Sequence, residues 1–173
     1  MLIVRVIGPI VLASAGPGLA QTLLPASVAI EQVDLAASAR AIIVQNGDAN
    51  AIDLRQRGAD HRADIVQHGV DNAVVALQAG VGTGFNILHA GQTGTANVAR
   101  VDQFAAAGEA NLIALRQDGS NNLADLVQTG DANSIGLDQF GDGNQAQVTQ
   151  TGSALALSIT QTGGAAVAIA QGR

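Results

Sequence analysis

The chain has 173 residues, 47% of them hydrophobic, with three aromatic residues, no cysteine and a formal net charge of −6. An acidic balance without lysine excludes the basic footprint of a nucleic-acid binder, and the lack of cysteine excludes a disulfide framework. The length bounds the chain to one domain plus a leader.

Residues 1–20 predict a secretory signal peptide. Arg5 is their only charge, an apolar run extends from Val6 to Leu12, and Gly18-Leu19-Ala20 forms a small-x-small cleavage site before Gln21. Ala13-Ser14-Ala15 is an alternative site, and a short buried helix or strand is the plainer reading of the same stretch. Cleavage leaves seven Arg against fourteen acids, a net charge near −7. Past the leader, no run reaches the roughly 18 apolar residues that a membrane span needs. Residues 21–38 hold Pro25, Glu31 and Asp34 and are expected to form an irregular N-terminal segment.

From residue 39 to residue 173 the chain repeats. Gln45, Gln56, Gln67 and Gln78 are spaced by 11 residues. After a slip at residues 81–84 the series resumes at Gln92 and Gln103; after a second at 104–107 it runs through Gln117, Gln128, Gln139, Gln150 and Gln161 to Gln171. A fixed period means stacked copies of one unit, and this unit suits a strand plus a turn. Its pattern is Gln-x-Gly-x-x-Asn-x-(aliphatic)-x-(aliphatic)-x-Gln. The Asn position is filled by Asn50, Asn72, Asn86, Asn97, Asn111, Asn122, Asn133 and Asn144. Three residues earlier stand Gly47, Gly58, Gly69, Gly94, Gly108, Gly119, Gly130, Gly141, Gly152 and Gly163.

Between Asn and Gln the pattern alternates, as in Asn50, Ile52, Leu54 and Gln56 against Ala51, Asp53 and Arg55. Period two predicts a strand with its aliphatic face buried. The Gly-x-x stretch predicts the turn. The first aliphatic position alternates in size (Ile52, Ala63, Val74, then Ala99, Ile113, Ala124, Ile135, Ala146, Leu157), and Leu88 breaks the phase at the first slip, where a bulged turn is expected. Alternation between successive units implies a rung of two units, roughly 22 residues, with large and small residues interdigitating between two facing sheets. The predicted fold is therefore all-β: a β-solenoid of stacked strand-turn-strand rungs with two facing parallel sheets.

Inward Gln and Asn are costly unless hydrogen-bonded. In a stack each amide can bond its counterpart above and below. Two buried aliphatics contribute roughly 1.5–3 kcal/mol each, against an ordering cost of about 1–2 kcal/mol per residue. A lone rung is then unstable and a stack is not, so folding couples to extension. The last strands, 155–161 and 165–171, contain neither proline nor charge and could template an incoming chain. Asp48, Asp60, Asp71, Asp131 and Asp142 in the arcs read equally as turn residues or as gatekeepers that repel at rung spacing. Leu155 stands in place of one Asn, and Ala165 or Ala166 in place of the last.

These repeats resemble the curlin repeat family, most closely at Gln117-Asp118-Gly119-Ser120-Asn121-Asn122-Leu123-Ala124-Asp125-Leu126-Val127-Gln128. The resemblance implies a secreted subunit of extracellular curli amyloid fibres, exported through an outer-membrane secretion pore with periplasmic accessory proteins. It also implies association with itself or with another curlin subunit, in adhesion and biofilm matrix. Gln-x-Gly in nearly every unit, loss of Asn in the last units and the ending Ala170-Gln171-Gly172-Arg173 look more like the family's minor, nucleating subunit than its major one. The uncharged C-terminal units depart from that subunit's basic ones.

No catalytic, cofactor or metal pattern is legible, and no small-molecule substrate is implied. His61 takes an Asn position, His68 lies in a turn, and neither forms a ligand spacing with His89. Arg55, Arg57 and Arg62 mix with Asp53, Asp60 and Asp64 as a solvated face. The competing reading is a monomeric β-solenoid that binds glycan or ice, and Thr93, Thr129, Thr151 and Thr162, expected in turns rather than on a flat face, count against it.

Overall fold

The computed structural model describes residues 27–33, 39–58, 60–106 and 108–173. The leader expected at residues 1–20 lies outside them.

The described residues form thirteen strands and no helix. They are β1 (Ser27–Val33), β2 (Arg40–Asn46), β3 (Ala51–Arg57), β4 (Arg62–Val70), β5 (Ala73–Gly80), β6 (Asn86–Thr95) and β7 (Val98–Ala105). There follow β8 (Asn111–Ser120), β9 (Leu123–Asp131), β10 (Ser134–Phe140), β11 (Gln145–Ser153), β12 (Ala156–Thr162) and β13 (Ala166–Gly172). Odd strands pair in sequence order into a seven-stranded sheet and even strands into a six-stranded one. Every pairing is parallel and in register, so Gln56 stands over Gln78 and Gln45 over Gln67. The molecule is a β-solenoid whose rung is two units.

The strict alternation of each unit decides which face is buried. Ile52 and Leu54 of β3 are buried while Arg55 is exposed, and Ile135 and Leu137 of β10 are buried while Asp138 is exposed. One continuous aliphatic core fills the space between the sheets, with Leu157, Ile159 and Val167 only partly covered at its C-terminal end.

The segment expected to be irregular supplies β1. Val28, Ile30 and Gln32 take the register positions of Ile52, Leu54 and Gln56. They keep the period of two but lack the Gly and Asn that frame the other units. The turns also differ from expectation. Strand pairing continues beyond Gln through the arc glycines, from Gly69 to Gly94 to Gly119 and from Gly130 to Gly152, so much of each arc is itself hydrogen-bonded from rung to rung. Thr93, Thr129, Thr151 and Thr162 accordingly lie in the strand ends rather than in free turns.

Both slips fall on the same edge, in the β5–β6 and β7–β8 arcs, one rung apart. They stack: Val81 N–H donates to the Ala105 carbonyl at 3.1 Å, and a Cβ on Gly84 would come within 1.7 Å of the Ala106 carbonyl oxygen. The register therefore steps by 22 residues in five pairings and by 25 in the four that cross an insert, with 24 from β1 to β3 and 21 from β11 to β13. The phase break at Leu88 also has a spatial form. The first aliphatic position of the odd sheet is large at Ile52 and Val74, then small at Ala99, Ala124 and Ala146. The even sheet does the opposite, small at Ala41 and Ala63, then large at Leu88, Ile113, Ile135 and Leu157. Large faces small on either side of the first insert, where the two sheets exchange roles, until Val167 of β13 stands large beside Leu157 of β12.

Candidate functional site

The inward amides form four columns along the stack, two of Gln and two of Asn. In the even sheet Gln45, Gln67, Gln92, Gln117, Gln139 and Gln161 each donate from Nε2 to Oε1 of the next, at 2.7–2.9 Å. In the odd sheet Gln56, Gln78, Gln103, Gln128, Gln150 and Gln171 do the same at 2.8–3.1 Å. The second N–H of the amides from Gln56 to Gln161 crosses the core. Gln78 donates to the Arg62 carbonyl, Gln103 to Ile87, Gln128 to Leu112 and Gln150 to Ser134. One amide thus bonds along its own sheet and ties it to the facing one, which meets the cost of burying it.

The Asn columns run with the opposite polarity. Asn72 donates backwards from its backbone N and its Nδ2 to Oδ1 of Asn50, each at 3.1 Å. Asn97 does so to Asn72, Asn122 to Asn97 and Asn144 to Asn122. Nδ2 also donates forwards to an arc carbonyl of the next rung, as from Asn50 to Gly69 and from Asn97 to Gly119. The second column holds His61, Asn86, Asn111 and Asn133.

His61 replaces Asn without breaking its column. Nε2 lies 2.8 Å from the Arg57 carbonyl, which can only accept, so Nε2 carries the proton. Nδ1 is then free to accept the Asn86 backbone N–H at 3.1 Å. Burial lowers the pKa of this ring below the usual histidine value, and the Arg57 bond and the Asp60 charge offset part of that shift. His68 and His89 lie elsewhere. His68 is exposed near the end of β4, and His89 Nδ1 stands 3.3 Å from an Asp64 oxygen on the outer face. Arg62 reaches the same carboxylate at 3.1 Å, and Arg55 pairs with Asp53 at 3.1 Å, so this mixed-charge face is outward.

Glycine carbonyls need close approach between rungs. A Cβ on Gly94, at φ +113°, would stand 2.0 Å from the Gly119 carbonyl oxygen. Gly47, Gly69 and Gly119 meet the next glycine in the same way, and Gly130 meets Gly152. Gly58 instead abuts Gly80, which the spacing did not single out. Gly108 leaves the column and lies against the Asp131 carboxylate, because the second insert displaces its arc. Gly141 and Gly163 are looser, with no atom within 3 Å of an added Cβ.

The arc aspartates are not equivalent. Asp60 and Asp71 hold positive φ angles of 61° and 58°, which their short side chains tolerate. Asp48 and Asp71 occupy successive rungs of one arc, joined by the Asp71 N–H donating to the Asp48 carbonyl at 3.0 Å. Asp142 accepts the Ser120 N–H at 2.8 Å. Asp131 keeps one buried carboxylate oxygen without a hydrogen-bond partner.

The ends of the columns complete the site. Both Asn columns stop before the last rung. Leu155 N–H donates to Asn133 Oδ1 and Ala165 N–H to Asn144 Oδ1, each at 3.1 Å, so neither residue offers an acceptor onward. Ala39 takes the same position at the start of β2. The Gln columns do not stop. Gln45 and Gln161 remain in the first and last even strands, and Gln171 in the last odd strand. Lacking a next rung, Gln161 Nε2 donates to the Ala165 carbonyl at 2.9 Å. Gln32, in the register position before Gln56, extends the odd series and was hidden in sequence by its unframed unit.

A family model described as Curlin associated repeat matches residues 108–141 and 130–163. The two segments are offset by one rung of the solenoid and together span β8 to β12. No curated protein and no solved structure matches the chain.

Proposed function

We propose that this chain is a secreted structural subunit of extracellular curli-type amyloid fibres, which extends the fibre by edge-strand templating. The observation that carries this reading is the state of the solenoid's ends. Natural sheets normally blunt their edge strands. Here β12 and β13 end their sheets with no charged residue from 155 to 171, with core aliphatics partly uncovered and with glutamine still in ladder position. The segments similar to curlin associated repeats agree with it.

The chain takes the nucleating role in this reading, since Gln-x-Gly recurs through the repeats and the last units lose Asn. Its partners are further copies or another curlin subunit, with an outer-membrane pore and periplasmic accessory proteins for export. The fibre serves adhesion and biofilm matrix. A monomeric ice- or glycan-binding solenoid is disfavoured, because Thr93 and Thr162 share one edge with Asp118 and Phe140 between them.

The test is dye binding and fibre diffraction on the purified chain without residues 1–20. Dye-positive fibres with spacings near 4.8 Å and about 10 Å are expected. A chain that stays a soluble monomer at concentrations where curli-type subunits polymerise overturns the reading. Seeding of a paired major subunit by this chain tests the nucleating role.

A further inference from the structure

The thirteen strands of the described residues make six and a half rungs, and the odd half has a consequence for stacking. The N-terminal end presents β1 in the odd sheet and β2 in the even sheet; the C-terminal end presents β13 in the odd sheet and, one step back, β12 in the even sheet. A second copy placed without rotation would set its β1 on β13. The next position on β12 would then hold no strand, and a row of backbone donors and acceptors would be buried without partners.

We propose that successive copies join C-terminal end to N-terminal end with a half-turn about the stack axis, so that β12 carries β1 of the next copy and β13 carries its β2. This rests on the fibre reading above and names its junction. The half-turn exchanges the two sheets, which run in opposite directions and are built from the same 11-residue unit, so each incoming strand is parallel to the one it covers. Every strand position is then filled.

Two independent features fit this junction. The first is the amides. Both ends lack Asn and both keep Gln in sequence, so the Asn columns are interrupted symmetrically while the Gln columns hand over. Gln161 releases the Ala165 carbonyl and donates to Gln32 of the next copy, and Gln171 donates to Gln45 of the next copy, with the polarity of every interior pair. The second is side-chain size. The even sheet ends on Ile135 and Leu157, and the half-turn continues it with Val28, Ile52 and Val74, all large. The odd sheet ends on Ala146 and Val167 and continues with Ala41 and Ala63, small beyond Val167. The exchange of size between sheets at Leu88 is what each copy needs for the next to fit after half a turn.

Oxidative crosslinking in assembled fibres tests this, since the native chain has no cysteine. In register, Ser158 stands under Ala29 of the next copy, both on the outer face. Neighbouring strands about 4.8 Å apart lie within the Cα separation a disulfide spans. Fibres from mixed S158C and A29C chains are expected to yield crosslinked dimer, and those from mixed A168C and A29C chains to lose it, because the latter pair would lie on opposite outer faces. The axial rise per copy in unsubstituted fibres is expected at about 31 Å, six and a half strand spacings, with the repeat after two copies. A crosslink between A168C and A29C, or a rise of about 34 Å without rotation, overturns the half-turn while the fibre reading stands. Fibres in which neither pair crosslinks and the rise differs from about 31 Å overturn the junction as a whole. If the cysteines prevent assembly, the rise decides alone. An unsubstituted chain that forms no fibre removes the fibre reading and the junction with it.

Discussion

His61 Nδ1 accepts the backbone N–H of Asn86 at 3.1 Å, so one imidazole holds the place of a carboxamide in a buried column. Protonation would set a second N–H against that donor. Burial already lowers the ring's pKa, so between the folded and unfolded values the unfolded chain binds the extra proton. The resulting stability is fully present above the unfolded value of about 6.5 and is lost as pH falls below it, until the folded value is passed. Thermal unfolding of fresh monomer is expected to show a midpoint that drops from about pH 7.5 to pH 5, with His61→Asn flattening that dependence. Equal slopes for the two proteins would remove His61 as the cause.

Gln128 bridges Gln103 and Gln150. Gln128→Ala leaves the Gln103 donor and the Gln150 acceptor without their ladder partners, each orphan costing roughly 1–3 kcal/mol. Gln128→Ala with Gln150→Ala still leaves two orphans, Gln103 and Gln171. The pair is therefore expected to cost clearly less than the two single changes added together, which a double-mutant cycle on unfolding reads directly. The double variant should also polymerise markedly more slowly. Growth at the parental rate would show that the ladder does not drive assembly.

Gly94 and Gly143 separate backbone freedom from rung contact. Both have positive φ, but an added Cβ meets the Gly119 carbonyl oxygen at 2.0 Å from Gly94 and nothing within 4 Å from Gly143. Gly143→Ala is expected to cost about 1–2 kcal/mol, the penalty of the left-handed region alone. Gly94→Ala must also push neighbouring rungs apart, so it should abolish the cooperative unfolding transition seen by circular dichroism.

Like charges at rung spacing predict that Asp48→Asn with Asp71→Asn shortens the polymerisation lag in dye-binding assays, most strongly at low salt. Asp142→Ala is expected to behave differently, since its carboxylate holds the Ser120 N–H at 2.8 Å. Its loss should loosen that arc rather than speed assembly. An unchanged lag for the asparagine pair would leave these aspartates as turn residues only.

Much of this protein was determined by its sequence alone, because its rules are local and repeated. Period two in Asn50, Ile52, Leu54 and Gln56 decided which face is buried, and the 11-residue spacing aligned like with like wherever it is unbroken. In-register parallel stacking then required no information beyond the repeat. The tertiary structure decided what depends on neighbours distant in sequence. It brought the two inserts onto one edge, gave the Gln and Asn columns opposite polarity, and used each Gln to tie the sheets together. It also recruited β1, whose unit has the aliphatic period but not the turn residues by which a unit is counted. That strand makes the number of strands among the described residues odd, and the parity of a stack is a property of its two ends together, which no single repeat contains.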